Sequence, residues 1–112
     1  MSLLTIIIYK TSSQREPFMQ WLMSLDKAIQ TIVLIRVGRV TLGKFGDCKL
    51  LKDSVGIGEL RIASGLGYRV YFGKQGACVI ILLGGDKGSQ KRDIIKAQRY
   101  WLDYREYRNE GI

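Results

Sequence analysis

The sequence predicts a single α+β domain over residues 1–112, in which a group of short strands lies between helical segments. Of its 112 residues, 46% are hydrophobic, which is enough for one compact core. Apolar runs separated by the glycine-containing turns at 64–67 and 73–76 are typical of antiparallel strands. Apolar residues at helical spacing precede and follow these runs. Strands grouped apart from helices are typical of the α+β class.

The first element is predicted to be a buried strand over residues 3–9, because this run is apolar, rich in isoleucine and short for a helix. A helix is predicted from Pro17, since proline is well tolerated in a first helical turn. Its apolar residues recur at i, i+3, i+4 and i+7, and they are Phe18, Trp21, Leu22 and Leu25. Residues 26–42 fit a helical stripe, but their β-branched composition also suits a strand; we favour the helix.

Four further strands are predicted at residues 48–51, 56–63, 68–73 and 77–83. The last is apolar at every position, as expected of a central strand that is covered on both faces. A final helix is predicted after Gly88, with Ser89 as a possible N-cap. Its apolar stripe comprises Ile94, Ala97, Trp101 and Tyr104.

The stretch ELRIASGLGYRVYF, at residues 59–72, is predicted to be a hairpin whose register follows from side-chain alternation. Pairing Leu60 with Val70 places all the core candidates of the hairpin on one face. These are Leu60, Ile62, Tyr68, Val70 and Phe72. The opposite face then carries Glu59, Arg61, Arg69 and Tyr71. In this register Arg61 lies directly across from Arg69.

Two like charges opposed across a strand pair are destabilising, so an anion is expected beside these arginines. One candidate is Glu59, which would make a purely structural ion-pair cluster. The other is a phosphate or a partner's carboxylate, because paired guanidinium groups match such oxygens bidentately. Both interpretations are open from the residues alone.

The charge balance of the chain favours an anionic partner. Lys and Arg number 18 and Asp and Glu number 10, which gives a net charge of +8. The excess is spread over both halves of the chain, so it belongs to the folded body rather than to a basic tail. Nucleic acid or an acidic protein is therefore the expected partner class.

Several other classes of site and location are not expected. There is no histidine and only Cys48 and Cys78, so neither a disulfide framework nor a zinc site is predicted. The glycines match neither a P-loop nor a dinucleotide fingerprint, so no cofactor is predicted. The apolar runs are too short to cross a bilayer and the first residues lack a signal-peptide pattern, so a cytoplasmic protein is expected.

The strand-to-helix segment LLGGDKGSQKRD, at residues 82–93, adds polar side chains to the arginine pair. One reaction open to such a set is attack of an RNA 2′-hydroxyl on its own phosphodiester. The arginines can stabilise the charged phosphorane without a metal. The base could be Asp93, Glu59 or Lys87, and the spacing does not choose among them.

Four segments carry a resemblance to a known family: FMQWLMSL, GRVTLGKFGDCKLL, GIGELRIASGLGYRVYF and VIILLGGDKGSQKRDIIKA. They occur in order from about residue 16 to 97. On these motifs the chain resembles toxins of the RelE/ParE superfamily of type II toxin–antitoxin modules, and within it the HigB-like group. The resemblance implies an N-terminal strand, a helical hairpin, a strongly curved antiparallel sheet and a C-terminal helix. It would make residues 26–42 the second helix.

The resemblance also implies roles for particular residues. Arg61 and Arg69 correspond to the sheet arginines that hold and polarise the phosphate, Lys87 to the basic residue after the last strand, and Asp93 lies near the C-terminal catalytic position. The residues expected to contact RNA are Lys49, Tyr71, Gln90, Lys91 and Arg92. Some active members have a tyrosine or histidine near the C-terminal position, where this chain has SQKRDI.

The implied activity is ribosome-dependent cleavage of mRNA in the ribosomal A site, without a metal. ParE-type members share the fold but poison DNA gyrase, and a non-toxic relic that only binds an antitoxin is a third possibility. In each case the expected partner is a small helix-turn-helix antitoxin encoded next to the toxin. The complex would bind its own promoter DNA through the antitoxin.

Overall fold

The computed structural model describes residues 3–52, 54 and 56–108; the predicted domain's remaining positions (1–2, 53, 55 and 109–112) lie outside the described residues. The strands are β1 (Thr5–Ile8), β2 (Cys48–Leu50), β3 (Ile57–Ile62), β4 (Tyr68–Gln75) and β5 (Cys78–Asp86). The helices are α1 (Pro17–Met23), α2 (Lys27–Val40) and α3 (Gln90–Asp103). A 3₁₀ turn, Lys87–Ser89, precedes α3, and a π-helical turn, Tyr104–Arg108, follows it. The α+β prediction is confirmed, and the ambiguous segment 26–42 contains a helix.

The five strands form one sheet in the order β1-β5-β4-β3-β2. Strands β2 to β5 pair antiparallel as predicted, but β1 pairs parallel with β5, so the sheet is mixed and not wholly antiparallel. The apolar pattern of β1 could not give this direction, because Ile6 and Ile8 face one core cluster and Ile7 the other whichever way the strand runs.

The sheet carries helices on both faces. On one face α1 and α2 contribute Phe18, Leu22, Val33 and Val37 to a core cluster that includes Val70 of the hairpin. On the other face α3 contributes Ala97 and Trp101, which pack with Ile57, Tyr71 and Ile80. The arginine face of the hairpin is therefore the face that α3 partly covers. No helix of the described residues is long and apolar enough to cross a membrane.

The predicted hairpin register is confirmed. Leu60 pairs with Val70, and Arg61 pairs with Arg69. Glu59 pairs with Tyr71 on the same face as the arginines, as side-chain alternation requires. The hairpin therefore places the side chains of Glu59, Arg61, Arg69 and Tyr71 on one face of the sheet.

Strand β5 runs three residues beyond the predicted end at Leu83, through Gly84 and Gly85. The two glycines allow side chains of other elements to approach the strand closely. A Cβ at Gly84 would overlap the ring of Trp21, and one at Gly85 would overlap the Asp93 carboxylate. Helices α1 and α3, which carry Trp21 and Asp93, therefore pack against the same end of β5.

Gly73→Ala is expected to destabilise the protein by about 1–3 kcal/mol, since an added Cβ would overlap the Trp101 ring that packs on this strand. Chemical denaturation measures the change in the free energy of unfolding. Gly38→Ala, within α2, is the control, because nothing lies within 4 Å of its added Cβ. It should stabilise the helix by about 0.5–1 kcal/mol. Equal effects of the two substitutions would contradict this packing.

Candidate functional site

Three of the predicted catalytic residues line one groove at the end of the hairpin. Arg61 comes from β3, Arg69 from β4, and Lys87 from the turn after β5. The groove has a volume of about 190 Å³ and is also lined by Asp47. Local structure fixes this convergence, because Arg61 pairs with Arg69 and Arg69 with Gly85, two residues before Lys87.

A buried carboxylate lies beneath the two arginines. The side chain of Glu59 is 1% exposed, and its Oε1 accepts a hydrogen bond from Arg61 Nε at 3.0 Å. Arg69 Nε lies 3.6 Å from Glu59 Oε2, too far for a hydrogen bond. The internal anion that sequence reasoning had named as one candidate is therefore present, and it neutralises the arginine pair only in part.

Glu59 remains ionised in this environment. Burial alone raises the pKa of Glu59, but hydrogen bonds outweigh it, first that from Gln90 and then that from Arg61, and they hold the pKa below its ordinary value. The amide of Gln90 donates to Glu59 Oε2 at 2.8 Å. Gln90, which was expected to contact RNA, thus positions the carboxylate beneath the arginines.

Tyr71 does not occupy the place that was expected for it. Its side chain is completely buried beneath α3, so in this conformation it cannot contact RNA. Its hydroxyl lies near the Glu59 carboxylate but makes no hydrogen bond of normal length and angle in the described part of the chain. Burial, followed by the negative charge of Glu59, raises the pKa of Tyr71 far above its ordinary value. It therefore stays protonated and is unsuited to act as a base.

Tyr71→Phe is expected to change the free energy of unfolding by less than about 1 kcal/mol and to leave any RNA cleavage unchanged. The substitution keeps the buried ring and removes a hydroxyl that makes no hydrogen bond of normal geometry to the described residues. Denaturation and a cleavage assay of the variant beside the wild type measure both effects. A large loss of cleavage with unchanged stability would show that the hydroxyl takes part.

The fourth predicted catalytic residue, Asp93, is separated from the groove. It lies in the first turn of α3, is 5% exposed, and accepts a hydrogen bond from the Ser89 hydroxyl. Together with Arg92 it lines a different and larger cleft, between α1 and α3. Asp93 precedes Ala97 and Trp101 at i−4 and i−8, so its helical spacing was the signal that it would face the sheet.

The remaining residues predicted to bind RNA are exposed. Lys49 lies on β2 opposite Glu59, and Lys91 and Arg92 lie on α3. None of the three lines the groove. Ser89 was considered as a side-chain cap of α3, but the side chain that caps the turn is Asp86, which accepts from the N–H groups of Gly88 and Ser89 at 2.8 and 3.2 Å.

Sequence reasoning missed Asp47 as a lining residue of the groove. Its carbonyl accepts the backbone N–H of Arg61 at 2.9 Å, which fixes its place beside that residue. The signal was available, because Asp47 immediately precedes the short strand predicted at 48–51 in the motif GDCKLL. Its carboxylate is the exposed acidic group of the groove, whereas Glu59 is buried.

The groove therefore combines three cations with one exposed carboxylate, while a second carboxylate, Glu59, is buried against two of these cations. Such a set can hold a phosphate between guanidinium groups and can supply an acid–base group beside it. Within residues 3–52, 54 and 56–108, no three His, Cys, Asp or Glu side chains are grouped to hold a metal ion.

A comparison with known proteins identifies a relative of the chain. A Haemophilus influenzae protein described as an uncharacterized protein is 45% identical over 83 residues, which cover 72% of this chain and 82% of that protein. The chain belongs to the family of this protein. No family model matches the chain. The relationship does not itself assign a function, so the functional argument depends on the groove.

Proposed function

We propose that the chain is the toxin of a type II toxin–antitoxin module and cleaves mRNA on the ribosome. The observation that carries the proposal is the direct pairing of Arg61 with Arg69 in a groove that also contains Lys87. Two guanidinium forks and an ammonium group around one small space suit the charge that develops on a phosphate under attack.

In the proposed reaction, the 2′-hydroxyl of a bound RNA attacks the adjacent phosphorus and the 5′-oxygen of the next nucleotide leaves. Arg61 and Arg69 hold the non-bridging oxygens, and Lys87 donates the proton that the leaving oxygen takes. Asp47, the exposed carboxylate of the groove, accepts the proton of the 2′-hydroxyl. Asp93, which was a candidate base, lies in the other cleft and has no part in this scheme.

The order of elements supports membership of the RelE/ParE superfamily, HigB-like group. A first strand, two consecutive helices, a group of antiparallel strands and a terminal helix follow one another as that resemblance implies. The strongly curved sheet of those toxins and a cytoplasmic location are part of the proposal.

The proposed partner is an acidic antitoxin, through which the complex would bind promoter DNA. Support comes from the net charge of +8 and from apolar side chains of α2 that face solvent. Leu34 and Ile35 are each 49% exposed. Such a helix face is suited to be covered by another chain.

A second candidate is a ParE-type toxin that binds gyrase without cutting RNA. It is favoured by the salt bridge between Arg61 and Glu59. An arginine that is held in place by a buried carboxylate can contact another protein as readily as it can stabilise a reacting phosphate. A chain that binds an antitoxin but is harmless is the third candidate. The three candidate functions predict different effects when the chain is expressed in a cell.

Expression of the chain in a bacterium without an antitoxin is the test. The proposal predicts growth arrest and new mRNA 5′ ends by primer extension. Arrest with intact mRNA, broken DNA and blocked supercoiling would contradict the proposal and support the gyrase-binding candidate. Normal growth at a verified protein level would contradict both toxins.

A further inference from the structure

A cleft with a volume of about 510 Å³ lies between α1 and α3, at the end of β5. It is separate from the arginine groove, with which it shares no lining residue. Its lining includes Gly84 and Gly85 of β5. A cleft of this size falls in the range of small-molecule sites.

Three basic side chains from two different elements line this cleft. Arg15 precedes α1, and Arg92 and Lys96 lie one turn apart on α3. None of the three has an acidic partner within 4.0 Å in the described part of the chain. Free cations converging from opposite walls favour an anion between them.

The cleft also contains a hydrogen-bond acceptor, the carboxylate of Asp93. Asp93 is 5% exposed, and its carboxylate accepts from Ser89, which leaves further acceptor capacity. Trp21 and Tyr100 form aromatic parts of the wall. A ligand that fits therefore presents an anionic group to the three cations and a hydrogen-bond donor to Asp93.

We infer that this cleft binds a ribonucleotide unit, with its phosphate on Arg15, Arg92 and Lys96 and a sugar hydroxyl donating to Asp93. A carboxylate repels a bare phosphate but accepts from a hydroxyl, so the buried acid favours a sugar phosphate over inorganic phosphate. The ligand is either one nucleotide of an RNA chain or a free ribonucleotide, since the two share this chemistry. The inference goes beyond the proposed function, because none of the cleft's residues is assigned to the cleavage step.

The test compares two charge-matched double variants. Arg92→Gln with Lys96→Gln removes two cations of the cleft, whereas Lys27→Gln with Arg99→Gln removes two exposed cations that do not line it. Binding of a short fluorescein-labelled RNA is measured by anisotropy at several salt concentrations. The cleft variant is expected to bind about tenfold more weakly and to lower the slope of log affinity against log salt by about 1.4. The control should lose less than about threefold.

Arg15→Gln provides a second variant from the opposite wall and is expected to weaken the same binding. Equal losses in the two double variants, with Arg15→Gln unchanged, would overturn the inference. Displacement of the RNA by adenosine 5′-monophosphate would support a free ribonucleotide as ligand, and failure to displace it would support an RNA chain. A DNA probe of the same sequence should bind more weakly; equal binding would overturn the role of Asp93. None of these measurements requires cleavage, so they can succeed where the proposed function fails.

Discussion

Replacing Arg69 by alanine is expected to lower mRNA cleavage by at least about 100-fold, the loss that follows removal of one donor to a developing oxyanion, and to relieve growth arrest. Arg69 is directly opposed to Arg61 and lines the groove with Lys87. Among the described residues, only its Nη1 is engaged in a hydrogen bond, to the Gly67 carbonyl at 2.8 Å, so the guanidinium retains donors for a phosphate. Primer extension on mRNA from cells that express equal amounts of each protein measures the loss.

Two matched variants separate geometry from charge. Arg69→Lys keeps the positive charge but loses the planar fork, and most of the cleavage should also be lost. Lys74→Gln removes an exposed cation from the same strand, whose ammonium bonds the Gly76 carbonyl away from the groove. It should cleave as the wild type does. Full activity of Arg69→Lys would show that only charge matters, and full activity of Arg69→Ala would remove Arg69 from the mechanism.

The Glu59→Gln substitution is expected to lower the free energy of unfolding by about 3 kcal/mol, because removing one member of a buried ion pair leaves charge without compensation. Glu59 is 1% exposed and Arg69 13% exposed at their side chains. Without the carboxylate, Arg61 and Arg69 repel each other across the strand pair. Urea denaturation at neutral pH measures the change. An effect below about 1 kcal/mol would contradict a stabilising role for this cluster.

The same variant should alter the response to acid. The pKa of Glu59 is lowered in the folded protein, so its contribution is complete above the ordinary value of 4.5 and is lost as the pH falls through the folded value. The wild type should therefore lose more stability than Glu59→Gln on acidification below about pH 4.5. Parallel pH profiles of the two proteins would contradict the lowered pKa.

Much of the hairpin could be predicted from the sequence because one physical rule controls it. A slip of one residue would place Leu60 and Ile62 among the arginines, so burial selects the register that keeps them apart. That register is observed, and it opposes Arg61 and Arg69. The positions of these residues follow from side-chain alternation alone, so their prediction does not depend on the rest of the fold.

The part of the site that depends on how elements pack could not be predicted in this way. The sequence does not say which sheet face α3 covers, and this choice buries Tyr71 and places Asp93 in the other cleft. Likewise, the sequence does not show that β5 continues through Gly84 and Gly85, where Trp21 and Asp93 pack against it. Each of these features depends on a contact between elements that are distant in the chain, which local sequence patterns do not predict.

Purified components can test the claim that the arginine groove cuts mRNA on the ribosome. The protein is incubated with a defined mRNA, alone and on ribosomes stalled with an empty A site, and the RNA ends are mapped. We predict cleavage at the A-site codon only when ribosomes are present, and none by Arg69→Ala. Intact mRNA on ribosomes, with wild-type protein that is folded and monodisperse, would contradict the claim.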